Sequence, residues 1–448
     1  MRDFREQSAC RSPATSAGNL WSFRDPQHRS ICRNTLAVPA VCKTFALSAA
    51  TQLVPGCQIG QLDEREFNVT LRDPVLSPIA ELRANVSVPF NQARAMPKSV
   101  YTSPEFAETE LKHIFARDWL CAGRADALPN PGDYLTMHIS GEPIIILRDK
   151  EGTLRGMSNV CRHRMSTLLE GRGNTKLIVC PYHAWTYNLD GTLRGAPAMA
   201  ANEAFCKDQI ALPKVRVENW LGWIMVTLNP GAPDPQVQLK DVENLVGYLD
   251  MSSYRETFRE EFRWATNWKV LAENFMESYH LPVCHSGTIG GSVDLMKMTC
   301  PEGFPSFNYH YIMKNDTIPL SLAHPSNTTL QGDERRITWL LSIYPALLIT
   351  LTPGYFWYLC LTPDGPGHVN VLYGGGMSAD WCADPDAPQH LAKIKALLDD
   401  VNIEDKGCVE RVYQGLSAQM SAPGTLSHLE RPNFEFAQYI AGRIAPQD

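Results

Sequence analysis

The sequence of 448 residues lacks a large excess of charge of either sign, since 41 Lys and Arg stand against 48 Asp and Glu. A formal net charge of −7 gives no general attraction to nucleic acid or to anionic membranes. Internal repeats are also lacking. We therefore expect neither a nucleic acid nor a membrane as a partner, and a chain long enough for two globular domains.

The sequence has no apolar segment suited to a spanning helix. Residues 337–363 carry no charge, but Pro345, Pro353 and Gly354 divide this run into pieces of strand length that are rich in β-branched and aromatic residues. We predict successive buried strands there. The run belongs to the interior of a soluble domain rather than to a membrane.

The cysteines do not suggest a disulfide framework. There are thirteen, an odd number spread along the chain, and no secretory signal precedes them. A reducing compartment, the cytoplasm, is therefore expected. Residues 1–95 show no sustained period and are expected to be a poorly ordered extension. An organellar transit peptide is the alternative for this extension, although its acidic residues argue against one, and Met96 offers another start.

Regular patterns begin at Met96. Ser103 is an N-cap candidate before Pro104, and the apolar residues that follow fall on one face of a helix ending before Trp119. We expect residues 96–120 to form an N-terminal helix that packs on a catalytic domain.

Short alternating runs follow this helix. Segments 134–138 and 144–147 predict strands between turn signals, which indicates a small antiparallel β domain over residues 121–230. A Pro/Gly-rich stretch at 229–233 ends it. Residues 231–448 then form the second domain.

Two Cys/His doublets stand in the β domain. Cys161-Arg162-His163 is separated by sixteen residues from Cys180-Pro181-Tyr182-His183. In a Rieske [2Fe–2S] centre two thiolates hold one iron and two imidazoles hold the other. A structural zinc site is the alternative, but zinc fingers usually separate the Cys pair from the His pair, whereas each doublet here mixes one of each. The pattern favours the Rieske cluster.

A second constellation lies in the second domain. Glu277 and His280 are three residues apart, which on a helix would put them on one face, and His285 follows Pro282, which breaks the helix. Two imidazoles and one carboxylate form the facial triad of non-haem iron sites. Spacing alone leaves Asp399, Asp400 and Asp405 open as the third ligand. Cys284, beside His285, is interpreted as a packed core residue.

These motifs resemble those of the Rieske-type non-haem iron oxygenases, the ring-hydroxylating oxygenase α subunits, from about Met96 to the C-terminus. The resemblance implies the α+β fold class, with a small antiparallel β Rieske domain and a helix-grip catalytic domain, an antiparallel sheet with a long C-terminal helix. It implies that Cys161, Cys180, His163 and His183 bind a [2Fe–2S] cluster and that His280, His285 and Asp405 bind Fe(II). Asp405 is chosen because the family pattern is an Asp followed five residues later by Glu and four after that by Gln, which Asp405, Glu410 and Gln414 match.

The resemblance also implies how electrons travel. A flavin or iron–sulfur reductase partner would pass them from NAD(P)H to the cluster, and Glu277 would bridge a cluster His and an iron His. Subunits in the family form head-to-tail homotrimers. Arg162 and Arg164, which flank the cluster, would pair with partner carboxylates or remain solvated.

The chain departs from the commonest family pattern at two positions. Most members have Asp where Glu277 stands, and Glu is found in the branch that acts on quaternary ammonium compounds. Gly is more usual where Ala184 stands. The sequence therefore predicts an O₂-dependent hydroxylation or oxidative N-demethylation of a betaine-, carnitine- or choline-like substrate. Aromatic-ring dioxygenation is the alternative enzyme function, and a structural zinc protein is the non-enzyme alternative.

Aromatic residues of the second domain are candidates for lining a substrate pocket. A cage of aromatic rings would attract a trimethylammonium group through cation–π interaction, and would equally stack on an arene. Core packing is the alternative role for most of them. The candidates are Tyr309, Tyr311, Tyr355, Trp357 and Tyr358.

Overall fold

The computed structural model describes residues 77–292, 294–295, 298–313 and 319–444. Most of the extension expected over residues 1–95 lies outside these residues, but its last part has regular structure. Helix α1, Pro78–Val86, begins with Pro in its first turn and an N-cap at Ser77, whose hydroxyl accepts the Ala80 N–H at 3.3 Å. Leu82 of this helix is fully buried. The expected boundary near residue 95 is therefore too late, because packed structure already includes α1.

Most of the longer helices lie in the second half of the chain. The remaining helices are α2 (Ser99–Thr102), α3 (Pro104–Glu110), α4 (Pro235–Gln238), α5 (Lys240–Val246), α6 (Trp268–Met276), α7 (Leu281–Cys284), α8 (Ala379–Cys382), α9 (Ala387–Leu416) and α10 (Arg431–Ile444). In the described residues, no helix combines the length and the apolar character needed to cross a bilayer.

The N-terminal helix predicted from Ser103 is present. The Ser103 hydroxyl accepts the Phe106 N–H at 3.1 Å, and α3 continues as one π-helical segment, Leu111–Phe115. Phe115 packs edge-on against Trp268 at 5.0 Å between ring centroids. The helix therefore anchors the start of α6, the helix that leads to the second constellation.

The first half of the chain forms an antiparallel β domain, as predicted. Its seven-stranded sheet has the order β1-β10-β9-β4-β3-β2-β5, and β6-β7-β8 form a smaller sheet. The strands are β1 (Leu120–Arg124), β2 (Asp133–Ile139), β3 (Glu142–Arg148), β4 (Leu154–Ser158), β5 (Arg172–Asn174), β6 (Ile178–Val179), β7 (Thr186–Tyr187), β8 (Leu193–Gly195), β9 (Lys214–Trp220) and β10 (Trp223–Thr227). The two Cys/His doublets occupy the β4–β5 and β6–β7 loops.

The second half contains a six-stranded antiparallel sheet of order β11-β16-β15-β14-β13-β12. Its strands are β11 (Arg255–Trp264), β12 (Phe307–Met313), β13 (Ile337–Ile343), β14 (Leu347–Leu351), β15 (Tyr355–Pro363) and β16 (Val369–Met377). The uncharged run 337–363 supplies three neighbouring strands, which confirms the prediction of buried strands. The 30-residue helix α9 shares a hydrophobic core with one face of this sheet. The α+β fold class is confirmed.

The two faces of this sheet pack against different elements. One face joins α6, α9 and α10 in a core that includes Tyr355, Trp357 and Phe275. The opposite face packs on the β domain and on α5, because alternate residues along a strand point to opposite sides. Tyr358 lies on that second face. The pleat of the sheet therefore decides which aromatic residues share a face with α6 and α9.

Candidate cluster site and metal centre

Both Cys/His loops fold into the same kind of turn. The carbonyl oxygens of Cys161 and Cys180 accept the N–H of the residue four positions later, Met165 at 3.2 Å and Ala184 at 3.0 Å. Met165 and Ala184 have φ values of 55° and 56°, in the left-handed region that favours glycine. This conformation gives a physical reason for the preference for Gly at position 184 in the family.

The two turns bring the predicted histidines together. The rings of His163 and His183 have centroids 4.7 Å apart, and Trp185 stacks on His163 at 4.9 Å. The Nδ1 atoms of both histidines are buried, and neither finds a hydrogen-bond partner within the described part of the chain. Buried polar atoms normally have partners, so two unpartnered imidazole nitrogens fit a metal-ligand role.

The predicted cysteines are buried beside these rings. Burial raises the pKa of the Cys180 thiol, but hydrogen bonds from the backbone N–H groups of Tyr182 and His183 and from the side chains of Cys161 and Ser166 together lower it below its usual value, which favours the thiolate. The Tyr187 hydroxyl lies 3.3 Å from Cys161 Sγ and accepts the Arg162 N–H at 2.9 Å. Burial raises the pKa of Tyr187, so this hydroxyl stays protonated and can donate to the sulfur. Two thiols and two unpartnered imidazoles fit a [2Fe–2S] cluster.

The second constellation does not lie on one helix, and this corrects the sequence interpretation. Helix α6 ends at Met276, and Glu277 has an extended backbone with φ −127° and ψ 161°. His280 precedes the short helix α7, which has Pro282 in its first turn. The break thus occurs before Pro282. Glu277 still meets His280, because its Oε2 accepts the His280 backbone N–H at 3.2 Å and its Oε1 lies 2.5 Å from His280 Nδ1.

Three predicted side chains converge on one point. The Nε2 atoms of His280 and His285 are 3.2 Å apart, and Asp405 Oδ1 lies 3.5 Å from the former and 3.1 Å from the latter. Such crowding of ligand atoms is what one bound cation would relieve. Of the acids left open by spacing, Asp399 instead pairs with Lys395 at 2.8 Å and Asp400 is exposed. Asp405 alone of the three joins the two imidazoles.

The electrostatics of this centre favour a cation. Burial lowers the pKa of His280, but hydrogen bonds with Asp405 and Glu277 raise it more, to about 9. The imidazole is therefore surrounded by negative charge that stabilises either a proton or a metal. Binding a metal at Nε2 requires the neutral ring, so the metal would replace this proton.

Two carboxylates outside the triad contact the far nitrogens of the imidazoles. Glu277 Oε1 contacts Nδ1 of His280, and Glu404 Oε2 lies 2.9 Å from Nδ1 of His285. Sequence reasoning missed Glu404. Its position directly before Asp405 on an amphipathic helix was the only feature of the sequence that could have indicated this contact.

Cys284 is not simply a packed core residue. It forms a disulfide with Cys408, with a Cα–Cα distance of 6.8 Å across a sequence separation of 124. This pair joins α7, beside His285, to α9, three residues after Asp405. Both cysteines line a cavity of about 420 Å³ together with Glu277 and His280. One disulfide is thus present among the described residues, where the sequence suggested no disulfide framework and Cys284 was interpreted as a packed core residue.

The aromatic residues proposed for a pocket lie in the hydrophobic cores on two different faces of the sheet. Tyr355 and Trp357 lie on the sheet face that packs with α6 and α9, and Trp357 contacts Phe275 edge-on at 5.6 Å between centroids. Tyr309, Tyr311 and Tyr358 belong to the opposite core. Of these five residues, only Tyr355 and Trp357 therefore share a core with α6, which leads to Glu277, and with α9, which carries Asp405.

Comparisons with known families match both halves of the chain. Residues 118–216 match the Rieske [2Fe–2S] domain, and residues 251–445 match the ring-hydroxylating α subunit catalytic domain. These two matches in one chain favour a cluster and a catalytic iron over the structural zinc alternative.

Curated relatives and a solved structure agree with this assignment. The carnitine monooxygenase oxygenase subunit of Acinetobacter baumannii is 34% identical over 289 residues, which are 63% of this chain and 71% of the relative. The chloroplastic choline monooxygenase of Arabidopsis thaliana is 26% identical, over 85% of this chain and 90% of the relative. The structure of a quaternary ammonium Rieske monooxygenase matches with a TM-score of 0.68 and 25% identity, covering 81% of this chain and 97% of that one. The chain belongs to the Rieske-type non-haem iron oxygenases, as an oxygenase α subunit with a [2Fe–2S] domain and a mononuclear-iron catalytic domain.

Proposed function

We propose that this subunit oxidises a small quaternary ammonium compound with O₂, by hydroxylation or oxidative N-demethylation. The relatives that support this substrate class are named carnitine, choline and glycine betaine monooxygenases. The observation that carries an oxygenase function is the presence, in one chain, of the paired Cys/His loops and the converging His280, His285 and Asp405. Glu at position 277, the residue of the quaternary-ammonium branch, supports the same class.

We assign the ligands residue by residue. Cys161 and Cys180 would hold one cluster iron, and His163 and His183 the other. His280, His285 and Asp405 would hold Fe(II), and an iron with such a set of two imidazoles and one carboxylate would supply the activation of O₂.

The surrounding residues of this chain orient the ligands. Glu277 holds a proton at Nδ1 of His280, so that the Nε2 lone pair points at the metal position. Trp185, stacked on His163, and Tyr187, beside Cys161, limit the access of water to the cluster loops.

Electrons would come from NAD(P)H through a reductase with flavin and iron–sulfur centres. Large apolar side chains are exposed on the segments that carry both redox sites: Met165 (79%) and Tyr182 (55%) on the two Cys/His loops, and Tyr279 (53%) and Val283 (82%) between Glu277 and His285 in the chain. Such patches beside two functional sites suit contact between copies of the chain. We infer a head-to-tail homotrimer in which Glu277 links one subunit's iron site to the cluster of its neighbour.

The inter-subunit route can be tested with mixed oligomers. Cys180→Ser removes a cluster ligand, and Asp405→Asn removes an iron ligand. Each variant alone should be inactive, whereas oligomers co-expressed from both should regain turnover, because one subunit keeps the cluster and its neighbour keeps the iron. Mixed oligomers as inactive as the parents would exclude this route.

For the substrate, we propose that Trp357 and Phe275 form the aromatic wall that attracts the trimethylammonium group. Their edge-to-face packing lies on the sheet face that meets α6. Trp357→Leu, which keeps an apolar side chain, should raise the KM for a cationic substrate, whereas Tyr358→Phe on the opposite face should leave it near the wild-type value.

The substrate class is tested by single turnover. The dithionite-reduced protein is mixed with ¹⁸O₂ and, separately, with carnitine, choline, glycine betaine or naphthalene. We expect an ¹⁸O-labelled product or formaldehyde from at least one quaternary amine. Oxidation of naphthalene with none of the three amines would overturn the substrate proposal and favour arene oxidation.

A further inference from the structure

A carboxylate that the proposed ligand set leaves unused lies beside His285. Glu404 precedes Asp405 on α9, and its Oε2 lies 2.9 Å from His285 Nδ1, the ring nitrogen on the side away from Asp405 and His280. The Thr288 hydroxyl donates to the same Oε2 at 2.6 Å. Glu404 is thus held between the loop after α7 and one of the two imidazoles.

The loop is shaped to receive this carboxylate. A Cβ atom at Gly287 would come within 2.8 Å of Glu404 Oε1, so a larger residue there would press on the carboxylate. Glycine at 287 and a hydroxyl at 288 therefore bring Glu404 close to the ring of His285. The ring itself is almost completely buried, which increases the strength of its hydrogen bond with a charged acceptor.

We propose that Glu404 is a positioning residue for the catalytic iron, accepting the Nδ1–H of His285 so that the Nε2 lone pair points at the metal position. This proposal rests on the ligand set proposed above. A carboxylate behind a ligating imidazole fixes its tautomer and orientation and makes it a stronger donor. Glu404 cannot itself replace Asp405, because it contacts the nitrogen that faces away from the metal position.

Glu404 and Glu277 support different imidazoles and lie in different surroundings. Each supports one imidazole, but Glu277 lines the cavity beside exposed Tyr279, where a neighbouring subunit would dock. Glu404 is anchored by Thr288 of its own chain. We therefore expect loss of Glu404 to weaken iron binding without changing the cluster.

Iron release from the full-length holoprotein tests this. The wild type, Glu404→Gln and Glu404→Ala are loaded with Fe(II) and exposed to the chelator ferrozine. The iron released is counted while the visible absorption of the cluster is followed. Asp400→Asn is the matched control, because it makes the same carboxylate-to-amide change at an exposed position one turn earlier on α9.

Glu404→Ala should lower the affinity for the mononuclear iron by roughly 10- to 100-fold. Glu404→Gln should lie between Glu404→Ala and the wild type, because its amide oxygen still accepts the hydrogen bond but carries no charge. Thr288→Val should change the affinity in the same direction. The cluster absorption and the thermal midpoint of the Glu404 variants should match those of Asp400→Asn. If Glu404 served only general stability, its variants would instead have a lower thermal midpoint.

Two results overturn the inference in distinguishable ways. If Glu404→Ala retains its iron as well as the wild type does, the positioning role of Glu404 is refuted and the proposed ligand set is not. A wild-type protein that binds no iron beyond that of the cluster refutes the proposed ligand set, and this inference with it.

Discussion

Replacing Glu277 by Gln should slow the passage of electrons to the catalytic iron while leaving the cluster intact. Glu277 Oε1 lies 2.5 Å from His280 Nδ1, closer than the roughly 2.7–2.9 Å usual for a charge-assisted N–H···O hydrogen bond. Hydrogen bonds to charged groups contribute about 1.5–3 kcal/mol. If that contribution is lost on the way to the transition state, the rate falls roughly 10- to 100-fold.

The assay is a single-turnover experiment on protein fully loaded with Fe(II). The cluster is reduced with dithionite, excess reductant is removed, and reoxidation is followed after mixing with O₂ and a quaternary amine that the enzyme turns over. Glu277→Asp is the second variant, because it keeps the charge but withdraws the carboxylate by about 1.5 Å, one carbon–carbon bond. Both variants should reoxidise slowly and give an unchanged signal for the reduced cluster. Reoxidation at the wild-type rate in Glu277→Gln would refute the bridging role.

Four further predictions follow from the described contacts. Tyr187→Phe removes the hydroxyl beside Sγ of Cys161, a proposed cluster ligand, and should lower the reduction potential, measured by redox titration of the cluster. Burial raises the pKa of Glu273 to about 7, despite hydrogen bonding from a tyrosine and a nearby lysine. Because the folded state then binds the proton more tightly, the free energy of unfolding falls by about 3 kcal/mol as pH rises from about 4.5 to 7. Glu273→Gln should remove this fall, giving a flatter plot of thermal midpoint against pH than the wild type. Ala184→Gly relieves a positive φ and should raise the thermal midpoint slightly, whereas an unchanged or lower value would contradict the strain argument. Replacing Cys284 and Cys408 by Ala removes a cross-link between the segments that carry His285 and Asp405, and should speed the loss of iron to a chelator. An unchanged rate of iron loss would show that the disulfide does not stabilise the metal site.

Much of the architecture could be predicted because local patterns agree with the fold. Ser103 and Pro104 mark a helix start that the structure confirms, and the prolines within residues 337–363 mark strand ends. The boundary at residue 95 was misplaced because α1 is short and weakly patterned, and its burial depends on packing against α10 rather than on its own period.

The second constellation was found from residue types but not from geometry. Glu277 and His280 were expected on one helix, whereas the helix ends at Met276 and the carboxylate reaches the imidazole through a turn. A three-residue spacing is compatible with both arrangements, so the sequence cannot distinguish them. Glu277 contacts His280 in the turn as it would on a helix, because backbone N–H groups hold its carboxylate in place.

Contacts between distant segments could not be predicted at all. Glu404 meets His285 across 119 residues, and Cys284 meets Cys408 across 124. No pattern in one sequence pairs such positions. The third ligand, Asp405, was equally undetermined by spacing among neighbouring acids and was chosen only through the resemblance.

The most direct test of the ligand assignment is a metal count combined with low-temperature electron paramagnetic resonance of the dithionite-reduced protein, on the wild type and Asp405→Asn. The wild type should contain about three irons per chain, two in the cluster and one at the facial site, with a spin-half signal. Asp405→Asn should contain about two irons and give the same signal. Three irons in both proteins, or zinc without the signal in the wild type, would contradict the proposed sites.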